Sequence, residues 1–309
     1  MKSIELSFVI PVFNGAMSIA RVVGDIESRF SSMNFEIVLV NDFSRDESDS
    51  VCRSLVQQYQ GKVIYLELAR NFGEHNAVLC GLKQTTGQYV AVLDDDGQNP
   101  PSEVWPMYTA CKDRNVDVVY GKYADKKHHW FRNLGSTIND RAANVMLKKP
   151  KEIYLSSFKV ISRVIVDEIC RYRGAFPYID GIIFRSTQRI QQIVVQHELR
   201  EDGESNYNLR RLVRLWLNMF INHSIWPLRI ASLLGFVTAI LGVVLVCTVI
   251  YEKLTTPYYP IGMPFLLVTV ILFAGVQLIM LGVIGEYLGR LFLDHGGQPQ
   301  SVVRAIVKY

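Results

Sequence analysis

Three consecutive aspartates are the residues of this chain best suited to chemistry. They follow the apolar run Tyr89 to Leu93 and read Asp94-Asp95-Asp96, before Gly97-Gln98-Asn99-Pro100-Pro101. Adjacent carboxylates repel one another unless a cation or solvent relieves them, and hard oxygen ligands suit Mg²⁺ or Mn²⁺, which commonly share a site with substrate phosphates. We therefore expect a metal and a phosphorylated ligand here. The alternative is that these acids only cap the helix after Pro101.

The elements that must position these acids alternate between strand and helix patterns. Helix-like periodicity covers Ser18 to Phe30 and Ser48 to Tyr59. The β-rich runs are Leu6 to Val12, Phe35 to Val40, Val63 to Leu68, Tyr89 to Leu93 and Val116 to Tyr120. This alternation predicts an α/β fold with a mostly parallel sheet.

Polar clusters stand directly after four of the predicted strands. They are Pro11-Val12-Phe13-Asn14, Asn41-Asp42, Arg70-Asn71-Phe72-Gly73 and Asp94 to Gln98. Ligands of such sheets bind outside the carboxyl ends of the strands, so we expect these clusters to converge on one edge. The sequence has neither G-x-G-x-x-G nor G-x-x-x-x-G-K-[ST], which argues against a Rossmann dehydrogenase or a P-loop protein.

Two long apolar segments dominate the second part of the chain. Ile230 to Tyr251 and Tyr258 to Gly285 contain no charged residue, and each is long enough to cross a bilayer. The alternative is a pair of buried core helices. Basic residues before the first segment and after the second predict that both ends lie on the cytoplasmic side. The preceding stretch Leu209 to Ile221 is basic on one side and apolar on the other, which favours a helix in the membrane interface over an ordinary core helix.

Composition excludes several other classes of protein. A net charge of +4 over 309 residues is too small to indicate a nucleic-acid partner. The five cysteines are widely spaced without a C-x-x-C, so neither a zinc site nor a disulfide framework is predicted. The first residues lack the pattern of a signal peptide, so we expect the large domain to stay in the cytosol.

Five segments together resemble the bacterial polyprenyl-phosphate glycosyltransferases of glycosyltransferase family 2, relatives of dolichol-phosphate mannose synthase. These segments are Phe8 to Asn14, Val40 to Ser44, Arg70 to Gly73, Leu93 to Pro101 and Gly285 to Arg290. The resemblance implies a GT-A-type, mostly parallel sheet flanked by helices in residues 1–207. It also implies an interfacial helix in 208–228, a transmembrane hairpin within 229–288 with helices near 230–251 and 262–285, and a cytosolic tail in 289–309.

The resemblance further implies roles for the donor side. Asp94 and Asp96 would form the catalytic centre, and Asp96 with Gln98 would hold Mg²⁺ or Mn²⁺ against the diphosphate. The nucleotide-sugar would be bound by Pro11, Asn14, Asp42 and Arg70, with Asp42 accepting from the base. Asn41 stands where the family usually has an acid, so the base stays open. Asp95 ranks below its neighbours because alternation in an extended stretch would turn it away.

For the acceptor side, the resemblance implies a pocket for a lipid phosphate. Its residues would be Lys122, Arg132, Ser136, Arg200 and Ser205, where the last two belong to a loop that closes over the diphosphate. Arg132 and Ser136 are spaced i, i+4 and would share one helix face. The alternative for these basic residues is an ordinary solvated surface.

Ser157 departs from the family pattern. Relatives often carry an acid in this segment, in a position proposed for a general base, whereas this chain reads Ser156-Ser157-Phe158-Lys159. A phosphate monoester is largely anionic at pH 7, because its second pKa is near 6, so its attack needs little help from a base. We therefore name no base and expect Ser157 and Lys159 to contact the sugar.

The expected activity is inverting transfer of a sugar from a nucleotide-sugar to a polyprenyl phosphate, with undecaprenyl phosphate as the expected lipid, for modification of a surface glycan or lipopolysaccharide. The enzyme would be a multi-pass protein of the bacterial inner membrane and a homo-oligomer, with a tetramer as one form. Two alternatives are a family 2 transferase acting directly on a glycan and a non-catalytic membrane scaffold that binds nucleotide-sugar. The sequence identifies neither the sugar nor the nucleotide.

Overall fold

The computed structural model describes residues 3–123, 153–174, 177–196, 226–255, 263–295 and 299–308. The chain divides into two compact units, one formed by Met1–Asn208 with Gly297–Tyr309 and the other by Leu209–Gly296. The functional residues described below all lie in the first unit.

The first unit is built on a sheet of eight strands over the described residues, in the order β7-β5-β6-β4-β1-β2-β3-β8. The strands are β1 (Leu6–Val12), β2 (Phe35–Asn41), β3 (Val63–Leu68), β4 (Tyr89–Val92), β5 (Val118–Tyr123), β6 (Lys159–Ser162), β7 (Ile190–Val195) and β8 (Val303–Val307). The pairs β4-β1, β1-β2 and β2-β3 are parallel, as is β5-β7. Strand β6 runs antiparallel to both β4 and β5. The expected mostly parallel α/β sheet is therefore confirmed.

Helices cover both faces of this sheet. They are α1 (Ile19–Phe30), α2 (Ser48–Gln58), α3 (Glu74–Leu82), α4 (Val104–Asp113), α5 (Arg163–Cys170) and α6 (Ile179–Ser186). Side chains of α1, α2 and α4 pack in one apolar core, and side chains of α3, α5 and α6 pack in another. Because helices cover both faces of the sheet, β1 and β2 are buried on both faces and consist mostly of apolar residues without a polar–apolar alternation.

The predicted strand positions agree with the structure, with small shifts at their ends. Strand β4 ends at Val92, one residue before the predicted end, and β5 begins at Val118 and extends to Tyr123. Lys122, which we expected directly after the fifth strand, therefore lies within β5, where its side chain is exposed. The carboxyl ends of β1, β2, β3 and β4 lie side by side because these neighbouring strands are parallel.

The last residues form part of the sheet. Within residues 289–309, which were expected to be a cytosolic tail, Val303–Val307 forms β8 and pairs antiparallel with β3. Val302 accepts a backbone hydrogen bond of 2.8 Å from Ala69. The side chain of Gln300 donates to the carbonyl oxygens of Tyr172 and Gly174, each at 2.9 Å. These contacts fix residues 300–307 to the rest of the first unit.

Two long helices, α7 (Trp226–Thr255) and α8 (Met263–His295), make up the described part of the second unit. They include most of the two apolar segments expected to cross a membrane. Within the parts of the chain that the structure describes, no helix qualifies by length and apolar character as a membrane span. The interfacial helix expected in 208–228 lies outside the described residues as far as residue 225.

Candidate functional site

Asp94 is placed at the carboxyl end of β4 and is held there by two neutral donors. Its Oδ2 accepts a hydrogen bond of 2.8 Å from the Asn99 side chain and one of 2.6 Å from the Ser157 hydroxyl. Burial raises the pKa of the Asp94 carboxyl, the Ser157 hydrogen bond partly offsets this, and the charge of Asp96 adds to it. Asp94 is thus fixed in orientation and faces a second carboxylate, as expected for a group that meets a cation or a polarised ligand.

Asn99 extends this network to strand β5, which lies beyond β6 in the sheet. The residue is fully buried, and its side-chain oxygen accepts a hydrogen bond from the Tyr123 hydroxyl while its nitrogen donates to Asp94. A buried amide is stable in this environment because both its donor and its acceptor have partners. Asn99 therefore joins the acid cluster to the last residue of β5.

Asp95 points to the loop after β1. Its Oδ2 accepts from the backbone N–H of Phe13 at 2.9 Å, and its carbonyl oxygen accepts from the Ser18 hydroxyl at 2.6 Å. Burial raises the pKa of Asp95 to about 7, the Phe13 N–H offsets part of the shift, and the charges of Asp96 and Asp94 add to it. The middle aspartate therefore connects the acid cluster to the β1 loop.

Asp96, Gly97 and Gln98 form a tight turn. The backbone N–H of Gln98 donates to Asp96 Oδ1 at 3.0 Å, and Gly97 has φ +76°. A Cβ atom at Gly97 would lie 2.7 Å from the Arg21 guanidinium, so a helix α1 cation packs against this turn. Glycine suits this turn because of its left-handed backbone conformation, and a side chain here would also displace the end of Arg21.

The loops after β1 and β2 are joined by reciprocal hydrogen bonds. The Asn14 backbone N–H donates to the Ser44 hydroxyl at 3.0 Å, and the Asn14 side chain accepts from the Arg45 N–H at 2.8 Å. Asn14 has φ +55°, a conformation that Asn tolerates better than most residues. Pro11 is partly buried near the end of β1, where it pairs with Val40. Of the predicted nucleotide-binding residues, these two lie at the expected edge.

Asp42 organises the loop after β3. Its two carboxylate oxygens accept from the backbone N–H groups of Phe72 and Gly73, at 2.7 and 2.9 Å. Burial raises the pKa of Asp42, and these two N–H groups offset part of the shift. The exposed Arg70 in the same loop stacks over the Phe72 ring, 4.7 Å from its centroid. Asp42 and Arg70 are therefore brought to the same edge as Asn14, and Asp42 already has backbone partners for both oxygens.

Asn41, which the resemblance placed at a position where an acid was expected, has its side chain turned into the protein. It is buried, its side-chain nitrogen donates to the Tyr65 hydroxyl at 2.9 Å, and its oxygen accepts from the Ser44 N–H at 2.9 Å. Its contacts are those of a residue that holds the β2 loop in place.

Lys159 is buried and forms an ion pair with Asp180 of α6. The same Asp180 oxygen accepts from the buried Tyr120 hydroxyl at 2.8 Å. Breaking one partner of such a pair leaves a buried charge without compensation, which is strongly destabilising. We expected Lys159 and Ser157 to contact the sugar, and the structure gives each a protein partner, Asp180 for Lys159 and Asp94 for Ser157.

The remaining acceptor residues fall outside the described part of the chain. Arg132, Ser136, Arg200 and Ser205 lie in residues that the structure does not describe. Lys122 is described and is exposed one residue before Tyr123, whose hydroxyl reaches Asn99. Among the described residues, no three His, Cys, Asp or Glu side chains are grouped so that they alone could hold a metal ion.

Three residues of the site were not predicted from the sequence. Asn99 precedes two prolines and looks like an ordinary turn residue, Tyr123 follows an apolar run, and Arg21 lies in an amphipathic helix. Their roles depend on strand order and helix packing, which no local pattern encodes. The only local indication was the position of Asn99 within the segment that follows the three aspartates.

The fold is shared with solved glycosyltransferase structures. Glucosyl-3-phosphoglycerate synthase from Mycobacterium tuberculosis, in complex with Mn²⁺, UDP-glucose and phosphoglyceric acid, aligns with a TM-score of 0.53 at 16% identity, over 70% of this chain and 77% of that one. The same enzyme with Mn²⁺, UDP and glucosyl-3-phosphoglycerate gives a TM-score of 0.52 at 16% identity, with the same coverage. At this identity the likeness concerns the GT-A-like fold alone.

Curated relatives match almost the whole chain. The undecaprenyl-phosphate 4-deoxy-4-formamido-L-arabinose transferase of Pseudomonas savastanoi pv. phaseolicola (strain 1448A / Race 6) is 32% identical over 98% of this chain and 91% of its own length. The protein of the same description from Enterobacter sp. (strain 638) is 31% identical over 98% of this chain and 94% of its own. Residues 7–170 match the family described as Glycosyl transferase family 2. The chain therefore belongs to glycosyl transferase family 2, and over almost its whole length it is related to undecaprenyl-phosphate sugar transferases.

Proposed function

We propose that this glycosyltransferase moves a sugar from a nucleotide-sugar to undecaprenyl phosphate or a similar polyprenyl phosphate, for modification of a surface glycan such as lipopolysaccharide. The observation that carries the proposal is the similarity to undecaprenyl-phosphate transferases over 98% of the chain, which includes the region beyond the catalytic sheet. A family match confined to residues 7–170 would support sugar transfer without indicating the acceptor.

On the donor side, the proposal assigns the nucleotide to the loops after β1, β2 and β3, with Pro11, Asn14, Asp42 and Arg70. Support comes from the hydrogen bonds that join these loops, Asn14 with Ser44 and Asp42 with Gly73. A site whose loops are fixed before binding loses less conformational entropy when the ligand enters. Asp94 would contact the sugar or ribose from the end of β4.

Asp96 and Gln98 would hold a divalent ion. The residue types fit, because a carboxylate and an amide oxygen are hard ligands. The turn at Gly97 brings the Gln98 backbone to Asp96, and Asp94 and Asp95 both experience the Asp96 charge. Mg²⁺ commonly takes one or two carboxylates from the protein and its other ligands from substrate phosphates and water. A bound Mg²⁺ or Mn²⁺ would neutralise the charge that develops on the departing nucleoside diphosphate.

The acceptor phosphate would attack C1 of the sugar opposite the leaving diphosphate and invert the anomeric centre. The attacking oxygen carries no proton at pH 7 in most molecules, because the second pKa of a phosphate monoester is near 6. Ser157 in place of an acid fits this reaction, since the Ser157 hydroxyl orients Asp94 and no base is required. Lys122, Arg132, Ser136, Arg200 and Ser205 remain the proposed contacts to the lipid phosphate or the diphosphate.

We propose a bacterial inner-membrane location, with the catalytic unit in the cytosol and 230–251 and 262–285 as a transmembrane hairpin. The sequence supports this, because Ile230 to Tyr251 carries no charge. Large apolar side chains on both helices are also exposed, including Leu234, Phe236, Leu278 and Ile279.

The hairpin is tested by washing membranes from cells that express the chain with alkaline carbonate. The membranes should retain the chain; release by the wash would contradict the hairpin. A homo-oligomer, for example a tetramer, completes the proposal and is testable by native mass spectrometry in detergent.

The activity is tested with the purified full-length chain in detergent, undecaprenyl phosphate, Mg²⁺ or Mn²⁺ and a panel of nucleotide-sugars. Mass spectrometry of the lipid fraction should show one added sugar, and the added mass identifies its class. EDTA should stop product formation, and Asp96→Asn should reduce turnover at least about a hundredfold, in the range expected when a group that stabilises transition-state charge is removed. Turnover equal to wild type in Asp96→Asn would contradict the assigned metal site.

Direct transfer to a glycan is the competing activity. An acceptor hydroxyl must lose a proton, so this reaction needs an Asp or Glu carboxylate that acts as a general base at the site that Ser157 occupies. Radiolabelled sugar that enters polymer without passing through a lipid product would favour it. The scaffold alternative is set aside because the chain belongs to a family of transferases.

A further inference from the structure

A cavity of about 120 Å³ opens beside the acid cluster, between α3, β6 and α6. Its polar lining consists of Glu74, His75, Ser156, Ser157, Lys159 and Asp180. Ser157 is shared between the cavity wall and the Asp94 hydrogen bond, so the cavity is continuous with the end of β4. A group bound to Asp94 would therefore have this space directly beside it.

The described lining carries an excess of negative charge. Lys159 is the only cation among the residues that line the cavity, and it is already paired with Asp180. Burial lowers the pKa of His75, so its ring is neutral at pH 7. Glu74 is at the first position of α3. Burial raises the pKa of the Glu74 carboxyl, the charges of Asp94 and Asp180 add to the shift, and the charge of Lys159 offsets part of it. Lys159, the cation of this lining, forms its ion pair with Asp180 and not with Glu74.

We propose that this cavity receives the sugar ring of the donor. Glu74, which lines the cavity beside the Lys159–Asp180 ion pair, selects uncharged sugars with N–H or O–H donors and rejects sugars that carry a carboxylate. The inference rests on the proposed function, because it assumes a donor sugar at Asp94. A hydroxyl or amide on the ring would donate to the carboxylates of Glu74 and Asp180. A uronate would place a second anion beside Glu74, and an unpaired like charge is an effective way to reject a competing ligand.

The carbon and hydrogen surface of a sugar also has a place in the cavity. Val78 and Val92 form part of the wall together with Leu155 and Ile179. Sites for small polar ligands commonly combine an apolar wall with a few placed polar groups that set orientation. The cavity therefore has both components that an uncharged sugar ring requires.

Selectivity is measured with a matched pair of donors that differ only in a carboxylate. If the full-length chain binds UDP, the pair is UDP-glucose and UDP-glucuronate; if it binds GDP, the pair is GDP-mannose and GDP-mannuronate. Dissociation constants are measured by calorimetry in detergent with Mg²⁺, with the nucleoside diphosphate alone as reference. We expect wild type to bind the neutral sugar at least about tenfold more tightly than the uronate, since like-charge contacts are costly in a binding site.

Glu74→Gln keeps the size of the side chain and removes its charge, and Glu74→Lys reverses the charge. The preference for the neutral sugar should shrink several-fold in Glu74→Gln and should reverse in Glu74→Lys. Glu168→Gln and Glu168→Lys are the matched controls, because Glu168 is an exposed helical glutamate outside the cavity lining and gives the same change in net charge. Both controls should keep the wild-type preference.

Each outcome separates the two proposals. Equal binding of the matched pair by wild type, or an unchanged preference in both Glu74 variants, would overturn the selectivity inference and leave the proposed function standing. Failure to bind any nucleotide-sugar or nucleoside diphosphate would overturn the proposed function and the inference with it. Circular dichroism of each variant confirms that it is folded before binding is compared, and Glu74→Gln alone decides if Glu74→Lys does not fold.

Discussion

The Ser157 hydroxyl donates a hydrogen bond of 2.6 Å to the Asp94 carboxylate, across the two antiparallel strands β6 and β4. The serine gives the Asp94 carboxylate a neutral donor, whereas an acid at this position would place a like charge beside it. A neutral donor on a buried carboxylate lowers the free energy of the charged form. Ser157 therefore supports the orientation of Asp94.

Ser157→Ala should lower kcat/KM about tenfold or more, because a hydrogen bond to a charged group contributes about 1.5 to 3 kcal/mol. Ser157→Thr keeps the hydroxyl and should retain more activity than the alanine variant. The measurement is product formation with undecaprenyl phosphate under subsaturating donor.

Ser50→Ala is the control for the Ser157 variants, since Ser50 is an exposed serine that bonds only within its own helix turn at Glu47. Wild-type kcat/KM in Ser157→Ala would show that Asp94 does not depend on this donor.

Asn99→Asp tests the bridge between Tyr123 and Asp94. The new side chain would place a carboxylate against Asp94 in a buried position, where two like charges raise each other's pKa. Activity at pH 7 should fall more than in Asn99→Ala. Part of the activity should return as the pH is lowered, because protonation of one of the two carboxyl groups restores a hydrogen bond between residue 99 and Asp94. The measurement is kcat/KM between about pH 5.5 and pH 8.

Tyr123→Phe provides the control for this prediction. It removes the hydroxyl that donates to Asn99 and leaves the Asn99 to Asp94 hydrogen bond in place. Its kcat/KM should fall less than that of Asn99→Asp and should show no recovery at low pH. A pH profile for Asn99→Asp parallel to wild type would contradict the proposed contact with Asp94.

The sequence predicts the parallel strands and the edge at which the polar clusters meet, and both are present. Hydrogen bonds join Asn14 to Ser44 and Asp95 to Phe13. These residues follow neighbouring parallel strands, whose carboxyl ends meet at one edge of the sheet. Strand order was beyond the sequence patterns, because β6 inserts antiparallel between β4 and β5 from far along the chain. That insertion is what brings Ser157 to Asp94. The partners of Asn99 and Lys159 were missed for the same reason.

Asp95 should make the stability of the metal-free protein depend on pH. Its pKa in the folded protein is about 7, above the ordinary value of 3.8, so between these values the folded state binds more protons than the unfolded state. The free energy of unfolding should therefore decrease as the pH rises from about 4 to about 7. Asp95→Asn keeps an acceptor for the Phe13 N–H and should flatten this dependence. The measurement is the melting temperature of the EDTA-treated full-length chain across this range.

Asp113→Asn is the control for this pH series, because Asp113 is an exposed acid at the end of α4. Its melting curve should follow wild type at every pH. If Asp95→Asn retains the wild-type pH dependence, the burial of Asp95 is not its source.

Gly97→Ala and Gly61→Ala separate backbone strain from the contact with Arg21. Both glycines have φ +76°, where an alanine costs about 1 to 2 kcal/mol. A Cβ at Gly97 would meet the Arg21 guanidinium at 2.7 Å, whereas no described atom lies within 4 Å of one at Gly61. Strain alone should therefore lower the free energy of unfolding in urea by similar amounts in both variants, with a further loss in Gly97→Ala.

Only Gly97→Ala should lose turnover, because displacing Arg21 or the turn moves Asp96 and Gln98, the proposed metal ligands. Equal turnover in the two variants would mean that the turn at Gly97 tolerates this displacement and that its geometry does not limit the reaction.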